Sequence, residues 1–203
     1  VASRAYPLKE FSAHLTGYLG EVTASLLEAY PERDYQSGEV VGRSGLESSF
    51  DESLRGKPGY RFYLEQEAHN RILLAEKPVT SGEDLQLTLD SKLQTLAAET
   101  LQGVAGAFVV LDAESGGILA LASAPSFDPN QFSAGISSQR WQELSGDPAK
   151  PMFNRALQGL YPPGSVFKVV AAAAALDQGL YEPESEFSDL GELRVEGNII
   201  RNF

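Results

Sequence analysis

Ser165 and Lys168 are the residues of this sequence whose types and spacing could do chemistry together. A serine hydroxyl is a poor nucleophile until a neighbouring base takes its proton. An amine three residues further along a helix shares the hydroxyl's face and could be that base. The free N–H groups of a helix start can in addition help stabilise an oxyanion forming there. The spacing alone is weak, since about one Ser-x-x-Lys is expected by chance in a chain this long. Its plainer reading is a serine cap followed by a solvated lysine. Three features favour an activated serine. The match is unique in the sequence, it follows the rigid turn Tyr161-Pro162-Pro163-Gly164, and it opens an apolar helix.

That helix is the element that must position the pair. Val166 to Gln178 contains Ala171–Ala175 and no breaker, and Gly179 ends it. The run reads as too apolar to lie on a surface, which predicts that Lys168 is carried into a partly buried place. Burial matters because a free lysine is protonated at neutral pH. Lowering a lysine pKa by about three units costs about 4 kcal/mol, supplied by desolvation or a second cation. Val166, Val169, Val170 and the alanines could supply the desolvation; no obvious second cation lies close in sequence.

Composition bounds the remaining possibilities. The 203 residues suit one domain, or a small domain plus part of another. A net charge of −12 argues against a nucleic-acid or anionic-lipid surface. The absence of cysteine excludes disulfides, thiolate metal sites and a cysteine nucleophile. His14 and His69 are the only histidines and lie far apart, so each reads as structural rather than as a metal ligand. No run of eighteen apolar residues occurs, so no transmembrane helix or signal peptide is expected within these residues. The sequence starts at Val1 without a methionine and reads as an excised piece of something longer.

Residues 1–80 and 81–203 read as two regions, divided at the polar turn-forming stretch Pro78–Asp84. In the first, short helices are expected at Ala13–Leu19 and Ser48–Leu54, and strands at Tyr60–Glu67 and Arg71–Ala75. Glycines 42, 45, 56 and 59 suggest tight turns or close backbone approaches. In the second, Leu85–Leu89 alternates like an edge strand, and Asp90 or Ser91 caps a helix from Lys92 to about Gln102. Leu93, Leu96, Ala97 and Leu101 would share one face of it. Ala105–Asp112 and Ile118–Ser123 read as an apolar hairpin turned by Glu114–Gly117 and covered by helices on at least one face. A short helix near Ser138–Leu144 carries Trp141, a packing anchor. Beyond Gly179 come an acidic loop and a polar stretch.

Tyr161–Lys168, preceded by Asn154-Arg155-Ala156, resembles the first catalytic motif of the penicillin-binding transpeptidases, serine enzymes acylated by β-lactams. Ala107–Asp112 with Gly116–Ala120, and then Pro125–Asn130, are similar to that family's opening hairpin and the run after it. Arg4-Ala5-Tyr6-Pro7, His14–Tyr18 and Gly42-x-x-Gly45-x-Glu47 resemble the pedestal of its class B, monofunctional members. Gly135–Ser138 and the helix after it look most like the branch serving side-wall elongation. The resemblance covers essentially the whole chain.

It implies an α+β protein, with a pedestal (dimerisation-type) module over 1–80. Residues 81–203 would be the first part of a transpeptidase domain of the serine β-lactamase-like type. Ser165 would be the nucleophile and Lys168 its base, in a D,D-transpeptidase that cross-links peptidoglycan stem peptides and binds β-lactams. The implied place is the bacterial cytoplasmic membrane, facing the periplasm or extracytoplasmic side. Morphogenesis membrane proteins would dock on residues 1–80. No metal, organic cofactor or nucleic acid is implied. The family's later motifs, Ser-x-Asn and Lys-Thr-Gly, do not occur here. The hairpin would then keep an exposed edge, and the piece would belong to a longer chain or be incompetent alone. A D,D-carboxypeptidase or β-lactam sensor of the same superfamily, or a non-catalytic docking module, are the alternative readings.

Overall fold

A computed structural model describes residues 4–65, 71–133, 135–186, 188 and 190–201; His69 lies outside the described residues. The chain divides into two compact units, residues 1–159 and 160–203. Helices and two-stranded antiparallel sheets are mixed, an α+β arrangement.

The first unit begins with α1 (Ala13–Thr16), ended by Gly17, and β1 (Leu19–Glu21). After α2 (Ala24–Ala29), β2 (Val40–Gly42) pairs with β1, placing Leu19 opposite Gly42. Then come α3 (Gly45–Ser49) and α4 (Asp51–Arg55). Glycine is demanded at two positions here. A side chain at Gly42 would collide with the Glu47 carbonyl, and Gly45, at φ +57°, has the Leu15 carbonyl and Gly17 backbone where a Cβ would sit.

Two buried carboxylates tie these short elements together. Glu47, 7% exposed, accepts from the Tyr6 hydroxyl at 3.2 Å and pairs with Arg4 at 2.8 Å. Asp51, 4% exposed, accepts from the Tyr35 hydroxyl at 3.0 Å and the Gly42 N–H at 2.8 Å. Burial and the adjacent Glu47 carboxylate push the Tyr6 phenol well above its ordinary range, so it stays a donor. The motifs Arg4-x-Tyr6 and Gly42-x-x-Gly45-x-Glu47, forty residues apart, therefore make one hydrogen-bonded unit. A small apolar cluster of Val22, Tyr35 and Val41 packs beside it.

The hairpin of β3 (Tyr60–Glu65) and β4 (Arg71–Lys77) is exposed along its described length, Phe62, Leu64 and Leu74 included. Arg61 pairs with Glu76 across it at 2.8 Å.

The second half of this unit is built on α5 (Ser91–Thr100), β5 (Gly106–Leu111) and β6 (Ile118–Ala124). Asp90 caps α5, its carboxylate accepting from the N–H groups of Lys92 and Leu93. The hairpin turn is held by Asp112, whose carboxylate accepts from Glu114 N–H and from Ser115 N–H and hydroxyl. One face of the hairpin packs on α5 through Ala97, Leu101, Ala120 and Ala122; Phe108, Val109 and Leu111 stay largely exposed.

The buried stripe of α5 differs from the apolar one. Leu96 is exposed and Leu93 partly so, whereas Gln94 is 1% exposed. The Gln94 amide donates to Phe11 O at 2.6 Å and Leu121 O at 2.9 Å, and accepts from Leu121 N–H at 2.8 Å. It does for β6 what a neighbouring strand would. Leu85–Leu89 accordingly joins no ladder: Thr88 Oγ1 donates to Ile118 O and Asp90 N–H to Leu119 O. Gln94→Leu removes the partner of two buried backbone groups of Leu121 and of the part-buried Phe11 carbonyl, and is expected to cost roughly 4 kcal/mol. Chemical denaturation checks this, and a change under 1 kcal/mol contradicts it.

Beyond β6, α6 (Asn130–Ser133) and α7 (Ser138–Gly146) cover a second core, while α8 (Arg155–Gln158) packs on the β5–β6 hairpin. Ala13, Phe127, Phe132 and Leu144 form it, with Tyr18, Ile136 and Met152 packed against it. Trp141 meets the Phe132 ring edge-on at 6.4 Å but remains partly exposed, at the rim of this core rather than its centre.

The second unit contains α9 (Phe167–Asp177) and a hairpin of β7 (Glu192–Val195) and β8 (Asn198–Arg201). Among the described residues, no helix of either unit is long and apolar enough to cross a membrane.

Candidate active site

Pro163 and Gly164 shape the turn that carries Ser165. Pro163 is helical at φ −71° and ψ −19°, and Gly164 sits at φ +54°, where a side chain would be strained. Gly164–Val166 then form one 3-10 turn that runs directly into α9. Ser165 is the middle residue of that turn and Lys168 the second residue of the helix. Gly179, at φ +64°, stops the helix, and Leu180 N–H closes it on Ala175 O at 3.0 Å. The pair thus stands at the amino end of an eleven-residue helix, where free N–H groups favour developing negative charge.

Burial does not follow the expectation. Ser165 and Lys168 are exposed, and α9 has no buried residue; Val166, Val169 and Val170 are open to solvent. Among the described residues of the second unit, none buries the apolar surface of the helix or the Lys168 side chain. What the segment supplies is backbone geometry: a hydroxyl and an amine one turn apart at a helix start.

Asn154, Arg155 and Ala156, quoted with the serine motif, belong to the first unit. Asn154 caps α8, its Oδ1 accepting from Leu157 N–H at 3.2 Å, while its Nδ2 donates to His14 O at 3.1 Å. Arg155 reaches the carbonyls of Ala149 and Lys150, at 2.6 and 3.1 Å, and its N–H donates to Ser123 Oγ at 2.8 Å. Asn154 and Arg155 thus fix the last turn of the first unit.

His14 is structural in the geometry shown. It is 8% exposed, its Nε2 lies 3.3 Å from Pro125 O, and its ring stands edge-on to Phe127 at 5.6 Å. No group of three or more potential metal ligands gathers among the described residues.

Comparison with known proteins gives two family matches in succession. The penicillin-binding protein dimerisation domain matches residues 1–87, and the penicillin binding protein transpeptidase domain matches residues 106–203. The peptidoglycan D,D-transpeptidase MrdA of Acinetobacter baumannii is 38% identical over 198 residues, which is 97% of this chain and 29% of that protein. Penicillin-binding protein 3 of Bacillus subtilis is 39% identical over 186 residues, covering 92% of this chain and 27% of that protein. Among solved structures, Helicobacter pylori PBP2 in its complex with MreC superposes with a TM-score of 0.78 at 30% identity. That match covers 99% of this chain and 37% of the other. The chain therefore spans less than a third of the length of these curated relatives.

Proposed function

We propose, from the premise that this chain belongs to the penicillin-binding proteins, that it is the part of a peptidoglycan D,D-transpeptidase that bears the acylated serine. The observation that carries the reading is a Ser-x-x-Lys at a helix start, inside the segment that matches the transpeptidase domain. Ser165 attacks the penultimate D-alanine carbonyl of a stem peptide. The bond to the terminal D-alanine breaks, that residue leaves as its free amine, and an ester to Ser165 remains. The amine of a second stem peptide then attacks the ester, forming the cross-link and returning the hydroxyl. A β-lactam presents a similar carbonyl and stops at the ester.

Lys168 takes the Ser165 proton in this scheme, and the Ser165 N–H is half of the oxyanion hole. That role calls for a desolvated amine, which the described residues of 160–203 do not bury. Residues 1–80 act as the pedestal and 81–203 as the opening of the transpeptidase domain. The matches to residues 1–87 and 106–203 support that division. The protein is anchored in the bacterial cytoplasmic membrane and works on its outer side, in side-wall elongation. The MrdA relatives support that branch, and the PBP2–MreC complex supports a morphogenesis protein as the pedestal's partner.

A stem-peptide donor given to the full-length protein with an acceptor amine tests the reaction class. Cross-linked product is expected. Release of D-alanine with hydrolysis alone makes the protein a carboxypeptidase, and no turnover of either kind overturns the enzyme reading.

A further inference from the structure

Within the first unit, the loop between α2 and β2, helix α4 and the foot of the β3–β4 hairpin enclose a cleft of about 540 Å³. That is an ordinary size for a small-ligand site. The floor of the cleft is already satisfied. The Tyr35 hydroxyl accepts from Arg33 at 2.9 Å and donates to buried Asp51 at 3.0 Å. Arg55 pairs with Glu39 at 3.1 Å, and its guanidinium lies 4.8 Å from the centre of the Tyr35 ring. These groups hold the shape of the cleft and answer one another's charge.

The rim differs. Lys57, bridged to Thr80 at the hairpin's foot, and Lys77 line it from one element. Glu32 and Asp34 line it from the loop, and Glu52 from α4. All five are exposed, and none forms an ion pair among the described residues. Further out on the same hairpin the charges are paired, Arg61 with Glu76 and Arg71 with Glu65. The exposed Tyr60 ring stands beside Lys77, with the ammonium 6.0 Å from its centre.

This arrangement selects among ligands. A simple anion would meet five carboxylates in the cleft, and a simple cation four basic side chains. An apolar molecule would strip water from the rim charges with nothing to replace it. A molecule carrying both signs satisfies the lysines and the carboxylates together.

We propose that the cleft binds a short zwitterionic peptide, the uncross-linked stem peptide, through groups that include no residue of 160–203. Its carboxylates face Lys57 and Lys77, its free amine faces Glu32, Asp34 and Glu52, and its aliphatic part covers Tyr60. The zwitterionic chemistry rests on the cleft alone, whereas the identity of the peptide rests on the reaction proposed above. In that reaction the acceptor amine becomes an amide and loses its charge. The cleft therefore holds stem peptides that have not been joined and releases those that have.

The test is a calorimetric titration of the full-length protein, treated beforehand with benzylpenicillin so that the reactive serine is blocked. The probe is N-acetyl-L-alanyl-γ-D-glutamyl-meso-diaminopimelate, whose single free amine is on its last residue. Binding is expected, and acetylating that amine should weaken it on the order of tenfold. Lys57→Gln with Lys77→Gln, and separately Glu32→Gln with Asp34→Asn, should each weaken it on the order of tenfold. These side chains are exposed, so melting temperatures should stay unchanged. No binding, or equal affinity in wild type and both double variants, overturns the inference. Phosphoethanolamine binding as tightly as the peptide would assign the cleft to a lipid headgroup and overturn the peptide assignment. If benzylpenicillin adds no mass to the protein, the proposed function fails instead, and the titration still decides what the cleft binds.

Discussion

Ser165→Ala in the full-length protein is expected to abolish covalent labelling by benzylpenicillin, with a rate loss on the order of 10⁴-fold or more. Alanine removes the oxygen that would form the ester, and no other serine in the chain has a lysine three residues on. The side chain is exposed, and the turn around it is set by Pro163 and by Gly164 at φ +54°. The substitution should therefore leave stability within about 0.5 kcal/mol. A melting temperature unchanged beside a silent acylation assay separates lost chemistry from lost fold. Labelling that persists in the variant would remove Ser165 from the mechanism.

Lys168→Ala is expected to slow acylation by about 10²- to 10⁴-fold, the ordinary range for a general base. Lys168→Arg should not rescue it, because a guanidinium keeps its proton and cannot accept another. The prediction stands even though residues 160–203 leave Lys168 exposed. A general base is lost when its nitrogen is removed, whatever surrounds it. Pre-steady-state acylation rates check this. Equal rates for wild type and Lys168→Arg would show that Lys168 acts as a charge rather than as a base.

What the sequence made legible was mostly local. Pro162-Pro163-Gly164 and the alanine run define a turn and a helix without help from the rest of the chain, and α9 lies where they place it. Asp90 before α5 and the Gly116-Gly117 turn between β5 and β6 follow from capping and turn chemistry in the same way. Gly42 and Gly45 announced close backbone approach, and each meets backbone where a side chain would stand.

Interactions between distant residues were not legible. Gln94 looks like one polar residue on a helix, and nothing nearby shows that its amide serves Phe11 and Leu121, 83 and 27 positions away. Helical periodicity favoured Leu93 and Leu96, but that face of α5 meets no strand, and the leucines stay exposed or half so. The β7–β8 hairpin was missed as a polar stretch. Its signal was Glu196-Gly197 between short runs of branched residues, both turn positions lying at positive φ. Burial of Lys168 was inferred from the composition of α9 alone. Composition says that an apolar helix needs a cover, not that a given segment contains one.

The measurement that bears most directly on the central claim is the location of a penicilloyl adduct in the full-length protein. After reaction with benzylpenicillin and digestion with trypsin, the peptide Ala156–Lys168 is expected to carry the added mass, with fragmentation placing it on Ser165. An adduct on any other peptide, or none at all from folded protein, would contradict the assignment of Ser165 as the nucleophile.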